Sequence, residues 1–145
     1  MSGDEPRARL CHVKKREDFQ GYGFNLHAEI GKTGQFIGKV DAGSPASDAG
    51  LKEGDRIIEV NGTNIENENH QQVVGRIKAV PNETKLLVVD IETDKFFKEN
   101  NRVIRGDMPN VDSRSSDNQV NGDSHSYSRV DSLPGTYKTV FYDLT

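Results

Sequence analysis

The tetrapeptide Leu86-Leu87-Val88-Val89 is the strongest constraint in the sequence, a continuous apolar run bounded by polar residues. Successive side chains of a strand point to opposite faces, so such a run suits a strand buried on both. The chain that carries it has 145 residues, 32% of them hydrophobic and 29% charged, with no tryptophan. At roughly 100–200 residues per domain, this length allows one domain and a tail, or two very small domains. No run of about 18 apolar residues occurs, so nothing is expected to span a membrane. The opening Met1-Ser2-Gly3-Asp4-Glu5-Pro6 has no apolar stretch of the secretory type. Cys11 is the single cysteine and has no internal disulfide partner, which fits a reducing compartment. With 19 Lys and Arg against 23 Asp and Glu, the net charge of -4 disfavours nucleic-acid binding as the main role. The expected location is cytoplasmic.

Composition shifts near residue 105. Before it, short apolar runs alternate with turn signals and predict strands at 9–14, 22–28, 35–40, 56–60 and 84–90. Asn61-Gly62 follows the fourth of these and suits a tight hairpin, because both residues tolerate positive φ. Ser44-Pro45-Ala46-Ser47-Asp48-Ala49-Gly50 reads as a short helix with a capping Ser, Pro at its first position and Gly at its stop. A longer helix is predicted over 70–79, capped by Asn69 with Gln72 completing a capping box and Pro81 just beyond the end. Residues 92–100, with Phe96 and Phe97, read as a third helix packing back on the domain, within a helical extension over 92–105. The reading is a mainly β fold, a small antiparallel barrel or sandwich capped by a short and a longer helix. Residues 1–7 are read as a flexible N-terminus and 106–145 as a disordered tail, rich in Ser, Asn, Asp and Gly, with a short apolar end. A tail laid on the surface is the alternative.

Gly21-Tyr22-Gly23-Phe24 carries the most chemistry. A dinucleotide fingerprint fails, since Leu26 stands where a third glycine is needed and no βαβ unit follows. A phosphate loop ending at Gly31-Lys32-Thr33 fails too, because its earlier glycine also falls on Leu26. Apart from a plain turn into a strand, what survives is a nest of backbone N–H groups suited to a carboxylate. His70, Val74 and Ile77 share one helix face, and Phe24 and Leu26 one strand face. Side by side, strand and helix frame a groove with the nest at one end and His70 towards the other. The plainer alternatives are an exposed His70 in a first helical turn and core packing for Val73, Val74 and Ile77. His12, His27, His70 and His125 show no metal-ligand spacing. No nucleophile–base pair or phosphate loop appears, so neither an enzyme nor a cofactor is expected.

Taken together, Gly21-Tyr22-Gly23-Phe24, Gly43-Ser44-Pro45-Ala46, Ala49-Gly50-Leu51, Gly54-Asp55-Arg56-Ile57, Glu59-Val60-Asn61-Gly62 and His70-Gln71-Gln72-Val73-Val74 resemble a PDZ domain in order and spacing, over about residues 8–91. The wording is closest to the sodium–hydrogen exchanger regulatory factor (ezrin-binding phosphoprotein) scaffold family. The resemblance implies that the amides of Tyr22, Gly23 and Phe24 receive a ligand's terminal carboxylate. It implies a pocket for the last ligand side chain lined by Tyr22, Phe24, Leu26, Val74 and Ile77. His70 would accept a hydrogen bond from a Ser or Thr two residues before the ligand's end, the class I preference. Asn25, Gly38 and Lys39 are candidate secondary ligand contacts. The implied partners are C-terminal peptides of membrane transporters, channels or receptors, together with cytoskeletal linker proteins, met at the inner face of the plasma membrane.

The sequence departs from the family at Gly38, where close members carry an arginine, and in lacking a recognisable linker-binding tail. The final segment 137–145 is apolar and β-prone. It reads either as a frayed end or as a strand occupying a groove, its own or a neighbour's. Thr145 suits an apolar pocket poorly, and Asp143 stands where class I ligands have Ser or Thr. The alternative function is accordingly an interaction protein whose main contact is this tail.

Overall fold

A computed structural model of the chain describes residues 6–29 and 33–116, together with the backbone of 139–143. Strands β1 (Arg9–Lys14), β2 (Phe24–Glu29) and β3 (Gln35–Val40) are followed by the single-turn helix α1 (Pro45–Asp48). Then come β4 (Arg56–Val60), β5 (Thr63–Asn64), α2 (His70–Ala79), β6 (Glu83–Val89), α3 (Ile91–Glu99), β7 (Asp112–Ser115) and β8 (Thr139–Asp143). The strands form one sheet in the order β7-β1-β6-β4-β3-β2-β8, with β5 paired to β4. Every pairing is antiparallel except β1 with β7.

The apolar run sits in β6, between β1 and β4, and is fully buried. Leu86 and Val88 enter a core shared with Val13, Phe24, Leu26, Ile37, Ile57, Val73 and Ile77. Leu87 and Val89 enter a second core on the other face, with Ala8, Ile58, Phe97 and Ile104. The alternation Ile57, Ile58 in β4 divides between the same two cores. The sheet is thus covered on both faces, as the run predicts. Cys11 is buried in the first core, where burial pushes its thiol up to about 12 and makes it unreactive at neutral pH.

Local signals act as expected. Asn61 (φ 51) and Gly62 (φ 86) turn β4 into β5, pairing Val60 with Thr63. Asn69 accepts from the Gln72 amide at 2.8 Å while Gln72 accepts from the Asn69 amide at 2.9 Å, completing the box at the head of α2. Ser44 caps α1, accepting from the Ser47 amide at 3.1 Å.

Helix α3 agrees with the helix read over 92–100, whereas the rest of the extension to 105 is irregular, with Ile104 buried in the second core. The stretch from 106, expected as the start of a disordered tail, continues as ordered chain: Met108 and Val111 pack on that core, and β7 pairs with β1. The Asp112 amide donates to Ala8 O at 3.0 Å, and Ser116 Oγ accepts from the Lys14 amide at 3.0 Å. The backbone ladder and the apolar anchors before it outweigh a sequence, Asp112-Ser113-Arg114-Ser115, with no apolar residue. The expectations for 1–5, 117–138 and 144–145 lie outside the described residues. Among the described residues, no helix is long and apolar enough to cross a membrane.

Candidate functional site

The glycine loop enters β2 through two left-handed residues, Gly21 (φ 78) and Gly23 (φ 92). At Gly23 space is lacking as well: a Cβ there would lie 2.1 Å from Ser44 Cβ. The loop carbonyls are fixed on the α1 side. Tyr22 O accepts from the Ala46 amide at 3.0 Å, and Gly23 O accepts from the Asp41 amide at 2.8 Å. In a trans peptide the next N–H points opposite to the carbonyl. The amides of Gly23 and Phe24 therefore face away from α1, consecutive donors at the start of β2. Arg16 braces the loop's approach, donating to Gly43 O at 2.8 Å and pairing with Asp48. The Lys15 ammonium lies 5.2 Å from the centroid of the Tyr22 ring.

Tyr22 itself is buried in the first core against Phe24, their ring centroids 6.2 Å apart. Burial, with Glu83 adding to it, pushes its phenol up to about 12. Leu26 and Ile77 are also buried in that core, and Val74 packs half-buried against it. Phe24 and Leu26 of β2 and Val73 and Ile77 of α2 thus share one core.

His70 opens α2, and its ring is tied to the first residue of β3. Nδ1 lies 2.9 Å from Gln35 Oε1, an amide oxygen, which can only accept. The contact is a hydrogen bond when Nδ1 carries the ring proton. Gln35 is 5% exposed and was not singled out in the sequence, where nothing links positions 35 and 70. Burial, with a smaller contribution from the nearby His27, holds the His70 imidazole below its usual value of 6.5 and favours the neutral ring.

Of the secondary contacts, Asn25 is turned inwards to β3: its Oδ1 accepts from the Lys39 amide at 2.8 Å. Gly38 provides the room, since a Cβ there would lie 2.3 Å from Asn25 Oδ1. The β2–β3 register is irregular between Phe24 and Leu26, which places Asn25 at the irregularity.

The outer edge of β2 carries β8, antiparallel. Asn25 faces Asp143, Leu26 faces Tyr142, His27 faces Phe141, Ala28 faces Val140 and Glu29 faces Thr139. A chain running this way along β2 heads towards the glycine loop at its C-terminal end. Among the described residues, no group of three or more His, Cys, Asp and Glu side chains is placed to hold a metal ion.

The Na(+)/H(+) exchange regulatory cofactor NHE-RF2 of Mus musculus is 49% identical over 140 residues, 92% of this chain and 41% of that protein. NHE-RF1 of Gallus gallus is 54% identical over 94 residues, 65% of this chain and 28% of that protein. The chain thus spans less than half the length of these curated relatives. Among solved structures, the PDZ domain from choanoflagellate SHANK1 bound to a GIRK3 peptide superposes with a TM-score of 0.51 at 27% identity, covering 59% of this chain and 93% of that one. The family model for the PDZ domain matches residues 11–89, more than half of the sequence, including the glycine loop, β2 and α2, so the chain belongs to the PDZ domain family.

Proposed function

We propose that this chain is a non-enzymatic adaptor that captures the C-terminal tails of membrane transporters, channels or receptors by strand addition to β2. The observation that carries the reading is the pair of outward amides at Gly23 and Phe24, set at the head of an edge that already accepts an antiparallel strand. Backbone bonds along such an edge give affinity, and side-chain pockets give specificity. The amides take the carboxylate, Leu26, Val74 and Ile77 take an apolar last residue, and His70 takes a Ser or Thr hydroxyl two residues before it. Burying a terminal Leu or Val contributes roughly 1.5–3 kcal/mol. Charge-assisted bonds to the carboxylate add roughly 1.5–3 kcal/mol each, opposed by the ordering of a flexible peptide. Micromolar affinity, about -8 kcal/mol, follows. The names of the relatives, Na(+)/H(+) exchange regulatory cofactors, support a link to sodium–hydrogen exchange. Cytoskeletal linkers as further partners, and a cytoplasmic location at the inner face of the plasma membrane, belong to the same proposal.

The test is a library of C-terminal peptides, with the best binder remade as its C-terminal amide. Selection of Ser or Thr at the third-last position, lost in His70→Ala, and weak binding of the amide are expected. Equal binding of acid and amide overturns the reading.

A second reading is favoured by the β8 register: the groove is regulated by the chain's own segment 139–143, which an outside tail must displace. A tethered strand acts at an effective concentration of about 1 mM. With an intrinsic affinity of about 0.1 mM, it weakens outside peptides about tenfold. Removing 137–145 should restore that factor; unchanged affinity excludes the regulation and leaves capture itself standing.

A further inference from the structure

We propose that Gln35 is a specificity-positioning residue: its amide oxygen holds His70 as the Nδ1–H tautomer, so that Nε2 accepts the hydroxyl hydrogen of a ligand Ser or Thr. The inference rests on the peptide-capture reading and adds to it a residue outside the groove-lining set.

A neutral imidazole carries one proton, and its two nitrogens then have opposite roles. Left in water, the ring favours the proton on Nε2, which would make Nδ1 the acceptor. In this fold Nδ1 faces β3, where an acceptor nitrogen has no ligand to meet. The 2.9 Å bond to Gln35 Oε1 reverses the default, because a carbonyl oxygen has no hydrogen to give. Nε2, on the side of the ring away from Gln35, is left with its lone pair.

Gln35 is itself well fixed. It begins β3, faces Ile57 across the β3–β4 ladder and is almost fully buried, so its amide cannot trade the imidazole for solvent without cost. His70 is fixed from the other side by the capping box of Asn69 and Gln72, which sets the first turn of α2. Two elements meeting through one bond therefore decide which nitrogen the groove presents. A histidine at this helix position without an acceptor behind it would present a mixture of donor and acceptor rings.

The test uses the full chain and two probe peptides that differ only by Ser or Ala at the third-last position. Selective nitrogen-15 labelling of histidine reports which His70 nitrogen is protonated at pH 8. In the unmodified chain the proton is expected on Nδ1, with a Ser preference of about fivefold, the size of one net hydrogen bond. In Gln35→Met, nearly the same shape without the oxygen, the proton should move to Nε2 and the preference should fall below about twofold. Affinity for the Ala peptide should stay within about twofold. A proton on Nε2 in the unmodified chain overturns the assignment without any variant, as does a Ser preference retained in Gln35→Met. If the tautomer is as stated but neither peptide binds, peptide capture is what fails.

Discussion

Asn25 reaches from β2 into the space that a side chain on Gly38 of β3 would need, its Oδ1 ending 2.3 Å from the place of the missing Cβ. The same oxygen accepts from the Lys39 amide, so the glycine and the asparagine act as one unit. Gly38→Ala should displace the Asn25 amide and cost about 1 kcal/mol, a typical net hydrogen bond. Asn25→Ala should cost a similar amount, and the double variant little more than either alone, because both remove the same contact. Denaturant unfolding of the four proteins measures this. Full additivity would show the two residues to be independent.

Gly23 and Gly62 share a left-handed backbone but not the same surroundings. A Cβ at Gly23 would overlap Ser44, whereas one at Gly62 would meet nothing within 4 Å. Gly62→Ala should therefore cost only the backbone term, about 1–2 kcal/mol, with peptide affinity unchanged. Gly23→Ala should cost more and weaken a free-acid peptide at least about tenfold, since the loop must shift away from α1. Paired melting curves and peptide titrations separate the two effects.

The fold extends past the matched stretch 11–89. Phe97 is 1% exposed in the second core, beneath the Arg102 guanidinium at 4.9 Å from its ring centroid. Phe97→Ala should destabilise the protein by about 3–5 kcal/mol. Because the second core lies across the sheet from the groove, peptide affinity of the fraction still folded should hold. A chain cut after residue 90 should lose more, giving up Phe97, Ile104 and the β1–β7 ladder together.

The His70 ring is held below 6.5 in the folded chain. As pH falls through 6.5, the unfolded chain takes up this proton first, so His70 contributes a loss of stability on acidification. Peptide selectivity changes in the same direction: once protonated, Nε2 becomes a donor and no longer accepts the hydroxyl. The Ser-over-Ala preference should be constant from pH 8 to pH 7 and decline on acidification below the depressed titration point. A preference that rises in acid would show that the ring donates to the ligand.

Sequence and structure agree where the determining physics is local. Asn61-Gly62 needs only positive φ, Asn69 and Gln72 need only three residues of separation, and Leu86 to Val89 sort themselves by alternation. The glycine loop was legible for the same reason, as two glycines turn a chain whatever surrounds them. Strand β7 was not, because Asp112-Ser113-Arg114-Ser115 has no hydrophobic alternation and becomes a strand only by lying beside β1. The Gln35–His70 bond spans 35 positions and leaves no periodic trace. The inward turn of Asn25 depends on what a strand partner lacks, which no pattern within β2 records.

Strands β7 and β8 have a further consequence, since they take up the two rims of the sheet. An uncovered rim is a template on which copies of a protein can stack into polymers. Here each rim ends in a short strand, and β7 bears the charges of Asp112 and Arg114. A molecule with both in place offers little for another copy to grow on. Displacing β8 for a visiting tail would bare one rim, and the visitor would seal it again.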